Sequence, residues 1–361
     1  MSEKNKRHGM DYTLLIIVLL LVGVGLVILY STSAYNGQVK FHDSFYYLKK
    51  QLFATILGLV MMLFVANIDY HVWQKAAVWG YVAAIALSVA VMLFGKEING
   101  SKRWLSLGPF SFQPSEFCKV ALIIFLAWLV MRNAKTIGKM KTMLRIMIWI
   151  LPIVGLVGAS NLSTAIIILG IGVVLIFVAS PKYAQFIGMA GLGISFMGVF
   201  LALESYRLER LAIWRNPEKF EKGYQTLQGL YAIGSGGLFG TGLGNSVQKL
   251  GFVPEAQNDM IFSIICEELG LVGASFIVLL FLLLIWRFFL VATHCRDLFG
   301  SLIAAGAMAH MMIQVILNIA VVTNTIPNTG ITLPFISYGG TSVMFLLIEM
   351  GLVLNVSSLV E

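Results

Sequence analysis

Long apolar runs recur along almost the whole chain, and most have the length, about 17 to 25 residues, that a helix needs to cross a bilayer. Only 12% of the 361 residues are charged, and the mean hydropathy is +0.87. A typical soluble domain has roughly twice that share of charged residues. The pattern therefore predicts an all-α integral membrane protein.

Counting these runs predicts ten membrane spans within a single polytopic domain that covers residues 1–361. The spans are 12–31, 51–68, 73–95, 114–132, 143–159, 162–180, 184–204, 260–292, 299–323 and 338–357. The long polar stretch 205–260 connects the seventh span to the eighth, and residues 1–11 form a basic tail.

Basic residues in the short loops indicate the orientation of these spans. Five of them lie together between the fourth and fifth spans: Arg132, Lys135, Lys139, Lys141 and Arg145. Because cytoplasmic loops are enriched in Lys and Arg, we expect both termini in the cytoplasm and the stretch 205–260 outside. The formal net charge of +8 therefore relates to orientation and anionic partners. No basic run with interleaved aromatic residues indicates nucleic-acid binding.

Asp259 ends the polar stretch, directly before a long apolar run. As one helix, residues 260–292 would be about 50 Å long, which exceeds a hydrocarbon core of roughly 30 Å. Asp259 should therefore lie near the outer face. Either Asn258 or Asp259 could simply cap this helix. The carboxylate could also serve as a catalytic base, and the spacing alone leaves both interpretations open.

Charged residues inside the predicted spans favour a polar cavity, because ionised groups at membrane depth usually face one. Glu267 and Glu268 lie two turns into the eighth span. Glu116 and Lys119 share one face of the fourth span, which has a good helix start at Pro114. A salt bridge that closes the helix bundle would explain this second pair, and so would a site for an anionic headgroup.

Two further segments lie at predicted membrane boundaries. Lys102, Arg103 and Trp104 precede the fourth span, where they could anchor the chain in the interface or bind phosphate oxygens. The glycine-rich segment 234–244 lacks both the G-x-G-x-x-G spacing and the lysine of a nucleotide-binding loop. It is interpreted as tight backbone packed at the bilayer surface.

A polar stripe also crosses the ninth span. His310, Gln314 and Asn318 recur every four residues, and interhelical hydrogen bonds are the default explanation for such a stripe. Glu349, in the tenth span, needs a partner or a proton, and the sequence does not name one.

Several motifs in a fixed order carry a resemblance to a known family. They lie at 99–104, 113–119, 228–240, 254–262, 267–270 and 330–340. With them the chain resembles the SEDS proteins of bacterial shape, elongation, division and sporulation, namely FtsW, RodA and SpoVE. The resemblance extends over nearly the whole chain and is closer to the division and sporulation branch.

The resemblance implies ten transmembrane helices with a large outer loop between the seventh and eighth. It also implies a peptidoglycan glycosyltransferase that polymerises lipid II at the outer face of the bacterial cytoplasmic membrane, with a class B penicillin-binding protein as transpeptidase partner. The family's essential aspartate falls on Asp259, and its membrane-embedded Glu and Lys fall on Glu116 and Lys119. Asn161 stands where the family commonly has Asp, which puts a metal or catalytic role there in doubt.

A mechanism follows as a hypothesis. Asp259 acts as the general base, and cationic groups bind the pyrophosphate of lipid II. These cations come from Lys102, Arg103, Lys119 and Arg210. The remaining expected substrate contacts are Trp104, Glu116, Glu267, Glu268 and Ser337. A divalent cation, Mg²⁺ or Mn²⁺, could neutralise the leaving group, although the sequence shows no metal-ligand spacing. Two alternatives stay open, a lipid II flippase and a non-catalytic scaffold for the transpeptidase.

Overall fold

The computed structural model describes residues 9–98, 101–107, 110–182, 186 and 211–358. Within these residues, nine helices are long and apolar enough to cross a membrane. They are α1 (Tyr12–Phe41), α2 (Tyr46–Asn67), α3 (His71–Phe94), α4 (Pro114–Arg132), α5 (Met140–Ser160), α6 (Leu162–Ala179), α8 (Ile261–His294), α9 (Leu298–Val322) and α10 (Gly340–Ser357). A shorter helix, α7 (Tyr224–Ser235), lies in the polar stretch. The chain is thus a multi-pass membrane protein, and the predicted span 184–204 falls almost entirely outside the described residues.

Local sequence signals explain where several helices begin. The side chains of Asp11 and Asp297 cap α1 and α9 by accepting a backbone N–H of the first turn. Pro114 occupies the first turn of α4, where no backbone donor is needed. Asn161 caps α6 in the same way as the two aspartates, so its amide oxygen has a structural role.

Three helices form the centre of the bundle. Within an apolar stretch of 18 residues in each helix, 67% of the residues are buried in α4 and in α10, and 61% are buried in α9. The corresponding share in α2, α3 and α5 is 28%, so these helices present most of their apolar surface outward, as lipid-facing helices do. α9 packs against both α4 and α10. The central helices carry most of the intramembrane charged residues singled out above.

A small antiparallel sheet precedes α4 and is an exception within the helical fold that the sequence predicts. β1 (Lys96–Ile98) pairs with β2 (Ser101–Leu107), and β2 pairs with β3 (Phe110–Phe112). The strands are too short to show a clear alternation of polar and apolar residues. The Asn-Gly dipeptide at 99–100 was the available signal, because Asn-Gly between two short strands favours a hairpin.

Helix α8 is broken at Gly270, which has φ 66° and ψ −168°, so the prediction of one continuous 50 Å helix is wrong. Backbone N–H and carbonyl groups without a hydrogen-bond partner are costly in a membrane. The glycine-rich segment supplies hydrogen-bond partners for the groups of α8 next to the break. The N–H of Thr241 donates to the carbonyl of Glu267, and the N–H of Gly242 donates to that of Glu268. After the break, the N–H of Leu271 donates to the carbonyl of Gly237, and the N–H of Val272 donates to that of Leu238. A Cβ on Gly240 would overlap the carbonyl of Glu268, so the predicted tight backbone is confirmed.

Candidate active site

Asp259 lies two residues before α8 begins, and only 9% of its surface is exposed. Met260 is the N-cap residue of α8, so the predicted cap by Asn258 or Asp259 is wrong. The Asp259 carboxylate instead accepts hydrogen bonds from the backbone N–H groups of Asp259 and Met260. Burial raises its pKa to about 6, and the negative charge of Glu255 acts in the same direction.

Separate parts of the chain hold Asp259 in place. Gln225 on α7 donates from Nε2 to Oδ1 of Asp259 at 3.4 Å. Gly330 has φ 68°, and a Cβ built on it would lie 3.9 Å from Oδ2 of Asp259. Asn318 on α9 donates from Nδ2 to the main-chain carbonyls of Asp259 at 2.9 Å and Ile331 at 2.7 Å. The position of the carboxylate thus depends on α7, on α9 and on the loop before α10.

A polar network lies deeper in the bundle, where α4 meets α9. Nζ of Lys119 lies 3.1 Å from Oε2 of Glu116 and donates to Oε1 of Gln314 at 3.2 Å. Gln314 in turn donates from Nε2 to the carbonyl of Thr332 at 3.1 Å. Lys119 is only 2% exposed. The pair is therefore closed into the helix bundle, as the salt-bridge interpretation expects.

The network continues to α10 and supplies the partner that the sequence could not name for Glu349. Nδ1 of His310 lies 2.8 Å from Oε2 of Glu349, and Nε2 of His310 lies 2.9 Å from Oε1 of Gln314. The prediction of interhelical hydrogen bonds for the polar stripe is confirmed. Oε1 of Gln314 can only accept, so Nε2 of His310 must carry a proton. With a second proton between Nδ1 of His310 and Oε2 of Glu349 that pair is neutral, and Glu116 with Lys119 is neutral too. Charge neutrality explains how four ionisable groups are tolerated at this depth.

The comparison with known proteins identifies the family. A family model for FtsW, RodA and SpoVE, described as cell cycle protein, matches residues 12–361. The chain belongs to the FtsW/RodA/SpoVE family. Stage V sporulation protein E of Bacillus subtilis is 41% identical over 365 residues, which is 98% of each chain. A probable peptidoglycan glycosyltransferase FtsW of Trichlorobacter lovleyi is 34% identical over 354 residues, 96% of this chain and 93% of that one.

Solved structures of this family have the same fold. One chain comes from work on the structural coordination of polymerization and crosslinking by a peptidoglycan synthase complex, and it matches with a TM-score of 0.82 at 29% identity. That match covers 96% of this chain and 97% of the other. The rod shape determining protein RodA of Thermus thermophilus matches with a TM-score of 0.71 at 28% identity, over 96% of each chain. The higher identities to SpoVE and FtsW agree with the predicted closeness to the division and sporulation branch.

In this family member, Glu267 and Glu268 hold the glycine-rich segment and the chain that follows it. Glu267 accepts hydrogen bonds from the hydroxyl of Ser246 and from the backbone N–H of Val247, the latter at 3.0 Å. Glu268 pairs with Nζ of Lys249 at 2.6 Å and also accepts from Ser31. Both carboxylates are 2% exposed. These contacts give them a structural role, and contact with substrate stays a prediction.

The other predicted substrate contacts lie in several places. Lys102 on β2 is exposed, Trp104 is partly buried, and Arg103 donates from Nε to the carbonyl of Ser160 at 2.8 Å. Ser337 is buried, and its hydroxyl accepts the N–H of Leu333 at 2.8 Å, which closes a turn before α10. Arg210 lies outside the described residues.

Sequence reasoning missed two residues beside Asp259. Gln225 and Asn328 are 103 positions apart, and Nδ2 of Asn328 donates to Oε1 of Gln225 at 3.3 Å. Gln225 lies in the first turn of α7 and Asn328 in the loop before α10, and neither carries a charge that would mark it in the sequence. The signal that could have drawn attention to Gln225 is its place three residues before the 228–240 motif.

Proposed function

We propose that the chain is a peptidoglycan glycosyltransferase that polymerises lipid II and uses Asp259 as its catalytic base. Relatives named FtsW bear that enzyme name, and a structural relative comes from a peptidoglycan synthase complex. One observation carries the proposal for Asp259. Its carboxylate is buried directly before the first turn of a membrane helix, and this burial raises its pKa to about 6.

The chemistry is a direct displacement at the donor sugar. A hydroxyl oxygen of the acceptor sugar forms a bond to the anomeric carbon of the donor, and Asp259 accepts the proton from that hydroxyl. The bond between the anomeric carbon and the pyrophosphate breaks, and the pyrophosphate leaves with the electron pair. An α-linked donor therefore gives a β-linked product. A pKa near 6 suits a base that works near neutral pH, because most of the carboxylate is then ionised.

The leaving pyrophosphate needs positive charge near it. The proposal gives this role to Lys102, Arg103 and Arg210. Lys119 already contacts Glu116 and Gln314, which keeps its ammonium within the helix bundle. In the part of the chain that the structure describes, no group of three or more His, Cys, Asp or Glu side chains is arranged to hold a metal ion. No step is therefore assigned to a divalent cation.

The proposed membrane arrangement completes this function. We infer that ten helices within one domain, residues 1–361, cross the bacterial cytoplasmic membrane with both termini in the cytoplasm, the seventh being the span that the sequence predicts at 184–204. The stretch 205–260 and Asp259 then face outward, where the transferred sugars are needed. The distribution of Lys and Arg in the short loops supports this orientation.

A class B penicillin-binding protein is the proposed partner. A glycan polymerase produces strands that a transpeptidase must crosslink, and one structural relative was studied for the coordination of polymerization and crosslinking. The chain shares 29% of its sequence with that relative over 96% of its own length, which supports a similar assembly.

The test of the proposal is the purified Asp259→Asn variant in a lipid II polymerisation assay. Loss of a general base should lower the rate about 10²- to 10⁴-fold, because the amide cannot accept the proton. Asp43→Asn is the matched control, since Asp43 is a partly exposed carboxylate that pairs with Lys49. It should polymerise at the rate of the unmodified protein. Full activity of Asp259→Asn would exclude the proposed base.

A lipid II flippase is the competing function, because a buried ionic network across three helices would also suit a transporter. The two are separated by reconstitution in vesicles that contain labelled lipid II. A glycan product supports the polymerase, whereas headgroup translocation without product supports the flippase. A non-catalytic scaffold predicts instead that Asp259→Ala supports growth of cells that depend on this protein.

A further inference from the structure

The side chain of Asn328 has an orientation that the backbone determines. The N–H of Gly330 donates to Oδ1 of Asn328 at 3.0 Å. A backbone N–H can only donate, so the Asn328 atom that faces it must be the amide oxygen. The amide nitrogen of Asn328 then faces Gln225.

The same reasoning determines the orientation of Gln225. Because Nδ2 of Asn328 is a donor, the Gln225 atom that faces it, at 3.3 Å, must be the oxygen Oε1. Nε2 of Gln225 is thereby directed to the other side, where it donates to Oδ1 of Asp259 and to the carbonyl of Pro254, both at 3.4 Å. The backbone N–H of Gly330 thus determines, through two amides, that a donor faces the carboxylate.

We propose that Asn328 and Gln225 form a positioning relay that keeps an amide donor directed at the Asp259 carboxylate. The inference rests on the proposed function, in which Asp259 is the base. Gln225 is the positioning residue that contacts the base, and Asn328 acts through Gln225. The donor favours the ionised form of Asp259 and restricts its rotation, so the carboxylate faces the acceptor hydroxyl in a usable orientation.

The surroundings make this donor matter. Burial raises the pKa of Asp259 to about 6 and the charge of Glu255 raises it too, whereas hydrogen bonds from the backbone N–H groups of Asp259 and Met260 and from Gln225 lower it. Helix α7 and the loop segment 323–337 contain no Asp, Glu, Lys, Arg or His, and His310 is the one ionisable residue of α9. Glu255 lies in the same loop as Asp259. The two amides therefore act where α7 and this loop segment offer no countercharge.

The deciding variant is Asn328→Asp, which preserves the shape of the side chain but removes its donor. One carboxylate oxygen still accepts the N–H of Gly330, and the other now requires a donor from Gln225. The Gln225 amide should therefore rotate by half a turn and present Oε1 to Asp259. Asn328→Ala removes the relay without imposing this rotation, so it should be the milder change although it is the larger truncation.

The measurement is the pH dependence of kcat and KM for lipid II polymerisation. Asn328→Asp should raise the midpoint of the acid limb by about one pH unit, which lowers kcat roughly tenfold at pH 5, with KM little changed. Asn328→Ala should raise it by less than half as much. Asn67→Asp is the control, because Asn67 is an exposed asparagine at the end of α2. It should leave the midpoint unchanged.

A double variant separates the relay from a direct effect of the new charge. In a Gln225→Leu background, Asn328→Asp should add no further rise of the midpoint, because no amide remains to rotate. A rise that persists in that background overturns the relay, and so does an equal effect of Asn328→Ala and Asn328→Asp. If Asp259→Asn is inactive while all relay variants match the unmodified protein, this inference fails and the proposed base stands. If Asp259→Asn is active, the proposed base itself fails.

Discussion

Glu116 and Lys119 form an ion pair in the centre of the bundle, and replacing one partner should destabilise the fold more than replacing both. The side chains are 8% and 2% exposed, and the two charged atoms are 3.1 Å apart. Lys119→Met preserves most of the length of the stem but leaves the Glu116 carboxylate without its cation. Glu116→Gln leaves the ammonium of Lys119 with neutral acceptors.

The expected magnitudes follow from these contacts. A single change leaves an uncompensated buried charge, which typically costs about 3–5 kcal/mol. The double variant contains neither charge, and Gln314 still accepts from His310 at 2.9 Å, so its Oε1 remains satisfied. The free energy of unfolding of the double variant should therefore lie within about 1 kcal/mol of the unmodified protein. The coupling energy of the cycle should reach several kcal/mol.

The assay is unfolding by sodium dodecyl sulfate in mixed micelles, followed by circular dichroism. Lys49→Met is the control, because Lys49 pairs with Asp43 on the surface with 67% of its side chain exposed. It should cost less than about 1 kcal/mol. Additive losses in the double variant would refute the reasoning, since they would mean that each residue stabilises the fold through contacts other than the pair. The polymerisation activity of the stable double variant then shows whether the pair contributes to catalysis as well as to stability.

Two further predictions concern the base and the helix break. The polymerisation rate should rise with pH through about 6, because Asp259 must be ionised to accept a proton and its pKa is raised by burial. A rate that stays the same between pH 8 and pH 5 would contradict this. Gly270→Ala should lower the free energy of unfolding by about 1–3 kcal/mol, because φ is 66° and the new Cβ would lie 2.5 Å from the carbonyl oxygen of Leu238. Gly234→Ala in α7 is its control, where a Cβ meets no atom within 4 Å and stability should be unchanged or slightly higher in the same unfolding assay.

The membrane helices could be predicted because a bilayer requires long apolar runs, and the helix starts at Pro114 and Asn161 carry ordinary capping signals. The break at Gly270 could not, because glycine is common in membrane helices and the break depends on a partner segment that the chain reaches about 30 residues earlier. The glycine-rich segment was recognised as tight backbone, but its pairing with α8 is a tertiary feature.

The candidate site shows a similar division. Asp259, Glu116 and Lys119 stand out because a charge within or beside an apolar run is costly and needs a reason. Gln225 and Asn328 do not, because polar residues in polar segments are ordinary. Their relation to Asp259 arises only when α7 and the loop before α10 meet at the start of α8.

The polar stripe of α9 reaches from the interior network to Asp259. The chemistry of its contacts shows whether it can carry a proton. Gln314 donates to the carbonyl of Thr332, and Asn318 donates to the carbonyls of Ile331 and Asp259. Main-chain carbonyls accept hydrogen bonds but hold no proton to pass on. Through these contacts the stripe can hold the backbone of the base, but it cannot carry a proton to the carboxylate. In the proposed mechanism, the proton that Asp259 accepts therefore does not leave through this stripe, and the interior network acts as a neutral support.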